Sequence, residues 1–146
     1  MRTVEETVPA RLATMPGWLI GQLSLKSYRI LSERLAEAGH RPYDYRLLGA
    51  LEERGPCSQA TLGRLTGIDR SDVVGALDRL GEQKLIKRSP DPEDRRRNVV
   101  AVTAAGVRRL RRLDGVVEGV QDELTAGLSK AERATLVRLL QRILTD

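Results

Sequence analysis

LIKRSPDPEDRRRNVVAVT, Leu85–Thr103, is the stretch whose reading decides the fold. Two short β-type runs, LIKRS and NVVAV, flank a loop that holds two prolines, three acids and three consecutive arginines. Such a stretch reads as a β-hairpin whose charged tip is too long for a two-residue turn. It follows directly on DRSDVVGALDRLGEQK, Asp69–Lys84, where apolar residues recur at helical spacing. A helix followed by a basic-tipped hairpin is the order of a winged helix-turn-helix, so the hairpin is a candidate wing.

The residues upstream complete that motif. Ser58 is a cap for a short helix, QATLGRLT; Gly67 breaks it, and Asp69 caps the next helix, residues 70–84. Helix, short glycine-containing turn and helix form a helix-turn-helix. Before it, a helix over residues 17–38 is expected to bury Ile20, Leu23, Ile30, Leu31 and Leu35, after a proline-containing arm over residues 1–16. Arg41-Pro42 opens a helix through Arg54, with Leu47, Leu48 and Leu51 on one side. After the hairpin, Thr103 caps a long helix to about Leu128, and Ser129–Glu132 is a capping box for a last helix through Leu144.

The expected fold class is therefore mainly α with a small β-hairpin wing. A winged helix-turn-helix core, residues 39–103, is flanked by dimerisation segments at residues 1–38 and 104–146, in one compact domain overall. Ile20, Leu23, Leu128, Leu136, Leu139, Leu140 and Ile143, with Leu25 and Val116, are more apolar surface than one intrachain stripe accounts for. Interdigitating helices of a homodimer would bury it; an extra layer of intrachain core is the other reading.

Composition narrows the partner. The 146 residues are 40% hydrophobic and 31% charged, which suits a globular chain. A net charge of +5 and a pI near 9.9 favour a polyanion. Phenylalanine is absent, and the four aromatics, Trp18, Tyr28, Tyr43 and Tyr45, lie far from the basic hairpin in sequence. RNA modules that stack bases on aromatic platforms fit this poorly. One cysteine and one histidine provide neither a disulfide framework nor the usual zinc ligand sets. No metal or cofactor is expected, no apolar run reaches a membrane span, and no signal peptide is visible, so a cytoplasmic protein is expected. No nucleophile-plus-base pair, phosphate loop or carboxylate dyad stands out, and an enzyme is not expected.

The candidate contacts with double-stranded DNA follow from the motif. On helix 70–84, Val73, Leu77 and Leu80 must pack inward. The opposite side and its flanks carry Ser71, Asp72, Val74, Gly75, Asp78 and Arg79, and the N-terminal half of such a surface enters the major groove. Gly75 permits close approach and Val74 can touch a thymine methyl, but no long donor is present there; Arg70 and Arg79 suit phosphates. Ser58, Gln59 and Thr61 begin the first helix of the motif and suit phosphates too. In the wing, residues 88–98, the candidates are Arg88, Arg95, Arg96 and Arg97. A tip arginine suits a narrow, electronegative minor groove, and Asp94 would orient it. Trp18, Tyr28, His40, Tyr43, Tyr45 and Arg46 would line a pocket for a small aromatic or anionic effector, or else serve core and interface. Cys57 lacks a neighbouring cation and reads as an ordinary small residue. A winged-helix protein-interaction module without specific DNA binding is the competing function; three wing arginines count against it.

The stretch VVGALDRLGEQKLIKRSPDPEDRRRNVVAVTAAG, residues 73–106, resembles the MarR family of bacterial transcriptional regulators, from recognition helix through a DP-x-D-R-R wing to the start of the long dimer helix. GPCSQATLGRLTGI, residues 55–68, resembles the first helix of that family's motif, and the likeness extends from about Trp18 to the end. It implies a homodimeric repressor or activator that binds pseudo-palindromic DNA, in many members released by phenolic or other small ligands. Asp94-Arg95-Arg96 matches the wing's D-x-R element, which makes Arg96 the minor-groove arginine. Gly75 departs from the polar or basic residue common at its position. Cys57 lies outside the first helix, where the oxidation-sensing branch carries its cysteine.

Overall fold

The computed structural model describes residues 8–146, so residues 1–7 of the arm expected over 1–16 lie outside the described residues. Its elements are α1 (Ala10–Ala13), α2 (Pro16–Glu37), α3 (Pro42–Arg54), β1 (Cys57–Ser58), α4 (Gln59–Thr66), α5 (Arg70–Glu82), β2 (Ile86–Pro90), β3 (Asn98–Val102), α6 (Ala104–Leu124) and α7 (Lys130–Thr145). The fold is mainly helical with a small antiparallel sheet, a winged helix-turn-helix. Two units can be described: one holds the residues up to Leu31 together with Val120–Asp146, the other Ser32–Gly119.

Unit Ser32–Gly119 carries the motif. Leu47, Leu48 and Leu51 of α3, Leu62 of α4, and Val73, Ala76, Leu77 and Leu80 of α5 are fully buried, as are Val100 of β3 and Leu113 of α6. Each helix thus turns one apolar stripe inward, and β3 contributes one central residue. Ser58 caps α4 by accepting the Thr61 N–H at 3.2 Å. Gly67 ends α4 at φ 67°, a left-handed conformation that glycine adopts without a Cβ penalty.

Helix α5 departs from expectation at both ends. Asp69 occupies the N-cap, but its side chain makes no cap hydrogen bond. The helix stops at Glu82 rather than Lys84, because Lys84 adopts φ 60°. Leu85 N–H then donates to Leu80 O at 3.0 Å and Lys84 N–H to Gly81 O at 3.0 Å. These are the two bonds of a Schellman motif, with lysine where glycine is usual. The buried Leu85 supplies the apolar contact that anchors such a cap.

The sheet order is β1-β3-β2. In the hairpin Ile86 faces Val102, Arg88 faces Val100 and Pro90 faces Asn98. The two-residue strand β1, too short to show a pattern in sequence, adds Cys57 opposite Val100 and Ser58 opposite Val99. The sheet is tied to α6 at one tight point. Thr103 N–H donates to Leu85 O at 3.0 Å, and Thr103 Oγ1 donates to Lys84 O at 2.8 Å while accepting Gly106 N–H at 3.0 Å. At Gly106 a Cβ would run into the Leu85 carbonyl and lie 2.6 Å from a Val102 methyl.

Helix α3 is tied to α6 by polar contacts. Tyr45 Oη donates to Asp114 Oδ1 at 2.6 Å, and Arg111 pairs with Glu52. Burial, followed by the hydrogen bond to Asp114, pushes the Tyr45 phenol up from 10.0 to about 12.

The other unit is less covered. Among its described residues Ile30 and Val120 are buried, but Ile20 and Leu23, expected inside, are 42% and 48% exposed. Their helical spacing marks an apolar stripe, and nothing among the described residues covers it. Leu25, Leu128, Leu139, Leu140, Ile143 and Leu144 are exposed as well, whereas Leu136 is half-buried. Helix α6 ends at Leu124, short of Leu128, where Leu128 N–H closes a turn on Thr125 O at 2.9 Å. Helix α7 starts with the expected capping box: Ser129 Oγ accepts from Glu132 N–H and the Glu132 carboxylate from Ser129 N–H.

Two measurements check this packing. Gly106→Ala should destabilise the protein by ~1–3 kcal/mol through overpacking, read as a lowered urea midpoint. In an alkaline absorbance titration, one phenolate component should appear near pH 12 and vanish in Tyr45→Phe. Because the folded pKa is the raised one, the stability linked to Tyr45 is fully present below pH 10 and lost as pH rises from 10 through 12.

Candidate nucleic-acid interface

The wing tip is an ordered turn. Asp91 N–H donates to Arg97 O at 2.9 Å and Arg97 N–H to Asp94 O at 3.0 Å. Asp91 Oδ1 accepts Glu93 N–H at 2.9 Å. Asp94 lies at the centre: Oδ1 accepts both the backbone N–H of Arg96 at 3.1 Å and its Nε–H at 3.2 Å, and Oδ2 accepts Arg97 Nε–H at 3.2 Å. The side-chain bond from Arg96, followed by its backbone N–H and by Arg97, holds the Asp94 carboxyl below its usual pKa. The carboxylate braces two guanidinium groups without burying them; the Arg96 side chain stays 91% exposed. Arg95 is exposed and makes no ion pair among the described residues.

Beside the wing runs a groove of about 640 Å³. One wall is the start of α4 with Ser58, Gln59 and Arg64; another is the first turns of α5 with Arg70 and Val74; the third is Arg96, Arg97 and Asn98. Ser58, Gln59, Arg70, Val74, Arg96 and Arg97 are thus gathered at one cationic concavity, whereas Thr61, Ser71, Asp72, Gly75, Arg79, Arg88 and Arg95 do not line it. Arg64 and Asn98 also line it and were missing from the sequence reading. Arg64 sits three residues after Thr61 on α4, a spacing that puts the two on one face and could have been noticed. Asn98 belongs to the groove only through the hairpin register.

Several candidates are engaged elsewhere. The Ser58 hydroxyl is the α4 cap and bonds Thr61, whose Oγ1 also accepts Arg64 Nη2–H at 3.1 Å. Arg88 donates from Nη1 to Asp78 Oδ1 at 2.8 Å, which ties strand β2 to α5, while its Nε and Nη2 are buried without acceptors. Arg79 lies 3.7 Å from Asp44. Ser71, Asp72 and Val74 are exposed on α5, and Gly75 is half-buried.

The candidates for a small-molecule pocket are dispersed. Trp18 and Tyr28 belong to the other unit, half-buried and exposed respectively. His40 is buried, with Nδ1 bonded to Asp44 Oδ2 at 3.0 Å and Nε2 to Arg109 Nη1 at 2.6 Å. Arginine can only donate, so Nε2 accepts and Nδ1–H donates. Tyr45 is committed to Asp114. Tyr43 and Arg46 stack, the guanidinium 5.7 Å from the ring centroid, and Arg46 Nη1 donates to Thr66 O at 3.3 Å. Cys57 is half-buried, and burial pushes its thiol up, away from the reactive thiolate. Among the described residues no group of three or more His, Cys, Asp or Glu could hold a metal ion, and no helix is long and apolar enough to cross a membrane.

A sequence model described as MarR family matches residues 40–97, which run from the start of α3 to the wing arginines. A Thauera aromatica protein named for its proposed role as regulator of the hcr operon is 31% identical over 139 residues, 94% of this chain and 84% of its own length. The chain belongs to the MarR family. Its fold is that of a family of DNA-binding transcriptional regulators. Solved MarR structures agree. A mutant of Escherichia coli MarR complexed with operator DNA is 26% identical, with a TM-score of 0.76, over 94% of this chain and 99% of that one. The PcaV transcriptional regulator of Streptomyces coelicolor, in complex with its natural ligand, is 29% identical, with a TM-score of 0.76, over 95% and 98%.

The brace in this MarR-family wing can be titrated. Asp94 should lose its charge at a pH below the ordinary 3.8, seen in the carboxylate ¹³C shift, and Arg96→Ala should move that midpoint up. The folded pKa is the lowered one, so the bracing contribution is present above pH 3.8 and lost as pH falls through the lower folded value. A midpoint unchanged by Arg96→Ala would show that the brace does not form in solution.

Proposed function

We propose that the chain is a homodimeric transcriptional repressor, not an enzyme, acting on double-stranded operator DNA in the cytoplasm. Helix α5 enters the major groove and the wing, residues 88–98, the minor groove of each half-site. The observation that carries the reading is the Asp94 brace. It fixes Arg96 and Arg97 on the wall of the groove that α4 and α5 share, in a solvent-exposed position that a folded core has no use for. A guanidinium presented this way suits the negative potential of a narrow minor groove. The operator complex of E. coli MarR supports operator DNA as the partner.

Dimerisation through residues 1–38 and 104–146 is supported by the exposed apolar residues of α2 and α7. Ile20 and Leu23 on the first, and Leu139, Leu140 and Ile143 on the last, would leave water on association. Leu136 lies on α7 and Leu128 in the turn before it. A two-fold dimer reads a pseudo-palindromic site, which puts one recognition helix in each half-site. The ligand complex of PcaV supports binding of an effector ligand, which would release the DNA. In this chain Tyr43 and Arg46 offer an aromatic face and a cation, whereas His40 and Tyr45 already hold protein partners.

Titration against the duplex upstream of its own gene, with a scrambled duplex beside it, tests the reading. The dimer should prefer the upstream duplex, with an affinity that falls steeply with salt. Arg96→Ala should cost ~1–3 kcal/mol of binding and leave the dimer mass unchanged in sedimentation. A folded Arg96→Ala dimer with full affinity would remove the wing from the interface. Binding to neither duplex, with a protein captured instead, would favour the interaction-module reading.

A further inference from the structure

The DNA-facing half of α5 poses a difficulty. Ser71, Asp72, Val74 and Gly75 bring no long donor, and guanine is read in the major groove by a donor to O6 and N7. Side chains on a helix lean back over the preceding turn. Arg79 does so here: its Nη1 lies 3.6 Å from the point where a Cβ of Gly75 would stand. The place left bare by the glycine is covered by a guanidinium from the next turn.

That guanidinium is also held from the other side. Arg79 Nη2 is 3.7 Å from Oδ1 of Asp44, a carboxylate buried at the start of α3. Asp44 Oδ2 is fully engaged, accepting His40 Nδ1–H and Arg41 N–H, each at 3.0 Å. His40 is fixed in turn by Arg109. The carboxylate cannot turn away, and Asp44 Oδ1 has no hydrogen-bond donor, so Arg79 is the cation that balances it. The Arg79 side chain remains 37% exposed.

We propose that Arg79 is the base-reading donor of the recognition helix, lying over the bare backbone at Gly75 and positioned by Asp44, and that it selects a guanine in each half-site. The inference rests on operator binding through α5. It assigns Arg79 to a base rather than a phosphate. It also gives Gly75 a purpose: the glycine lets the Arg79 guanidinium lie where the helix backbone comes closest to the base edges. A guanidinium braced in advance loses less freedom on binding than one free in solvent.

The test is selection from a duplex library randomised through both half-sites, with the full-length dimer, for wild type, Arg79→Ala, Gly75→Leu and Asp44→Asn. Wild type should select guanine at one position per half-site. Arg79→Ala should lose about tenfold or more at guanine-bearing sites while preferences elsewhere persist. Gly75→Leu, whose Cβ would meet only the Arg79 guanidinium within 4 Å, should lose the same preference by displacing it, and a folded Asp44→Asn should weaken it. If Arg79→Ala instead lowers affinity equally for every sequence and reduces the salt slope by about one per protomer, Arg79 is a phosphate contact and the proposal falls. Gly75→Leu with an intact guanine preference would also overturn it. Wild type without any sequence preference would overturn this proposal and the operator reading together; preferences that persist only outside the Arg79 position would overturn this one alone.

Discussion

Three elements meet at Leu85, and the site depends on that meeting. The Leu85 N–H closes the recognition helix on Leu80 O, and its carbonyl accepts the N–H of Thr103 at the start of α6. Its side chain is buried, and Gly106 approaches its carbonyl so closely that no Cβ fits. The wing therefore leaves the core in one direction, fixed relative to the helix before it and the helix after it. A hairpin on a loose hinge would carry the same arginines, but would lose more freedom on docking than it regained in contacts. The left-handed conformation at Lys84 is part of this junction, since the chain must reverse there to start β2.

The charges are ordered by the same economy. The chain is basic overall, yet three acids of the motif hold arginines in place. Asp94 holds Arg96 and Arg97, Asp78 holds Arg88, and Asp44 faces Arg79. An exposed ion pair contributes little to stability. Its value here is geometric: a guanidinium that already has its direction needs less ordering when an anion arrives. The bundled acids also explain how a protein with 25 basic and 20 acidic residues can still present a cationic groove. Asp69 is the acid that lines the groove, against Arg64, Arg70, Arg96 and Arg97.

Much of the fold was legible before any coordinates. The hydrophobic period placed α3, α4, α5 and α7 within a residue or two, and Ser58, Gly67 and Ser129 marked helix ends by their own chemistry. The wing was visible because its two β-runs bracket a polar loop. What was misread depended on context. Lys84 ends α5 although lysine is not a usual left-handed cap, because the buried Leu85 pulls the chain round. Strand β1 is two residues long and exists only by pairing with β3. Ile20 and Leu23 follow the helical pattern of buried residues but lie exposed in the single chain. Periodicity reports which residues share a face, not what covers it.

For the candidate site the division is sharper. The sequence by itself determined the order of the elements, the stripes that face the core, the cationic wing and the acid placed to orient it. All of these are local, set by spacing within one helix or one turn. Only the tertiary structure decided which charge meets which. Tyr45 meets Asp114, Arg111 meets Glu52, His40 lies between Asp44 and Arg109, and Arg79 reaches Asp44 while covering Gly75. Partners separated by tens of residues are brought together by helix packing. An arginine at a given position reads the same in sequence whether it is free for a phosphate, spent on the core or braced over a glycine. Side-chain direction and the distance to a remote carboxylate distinguish these cases, and both exist only once the helices have packed.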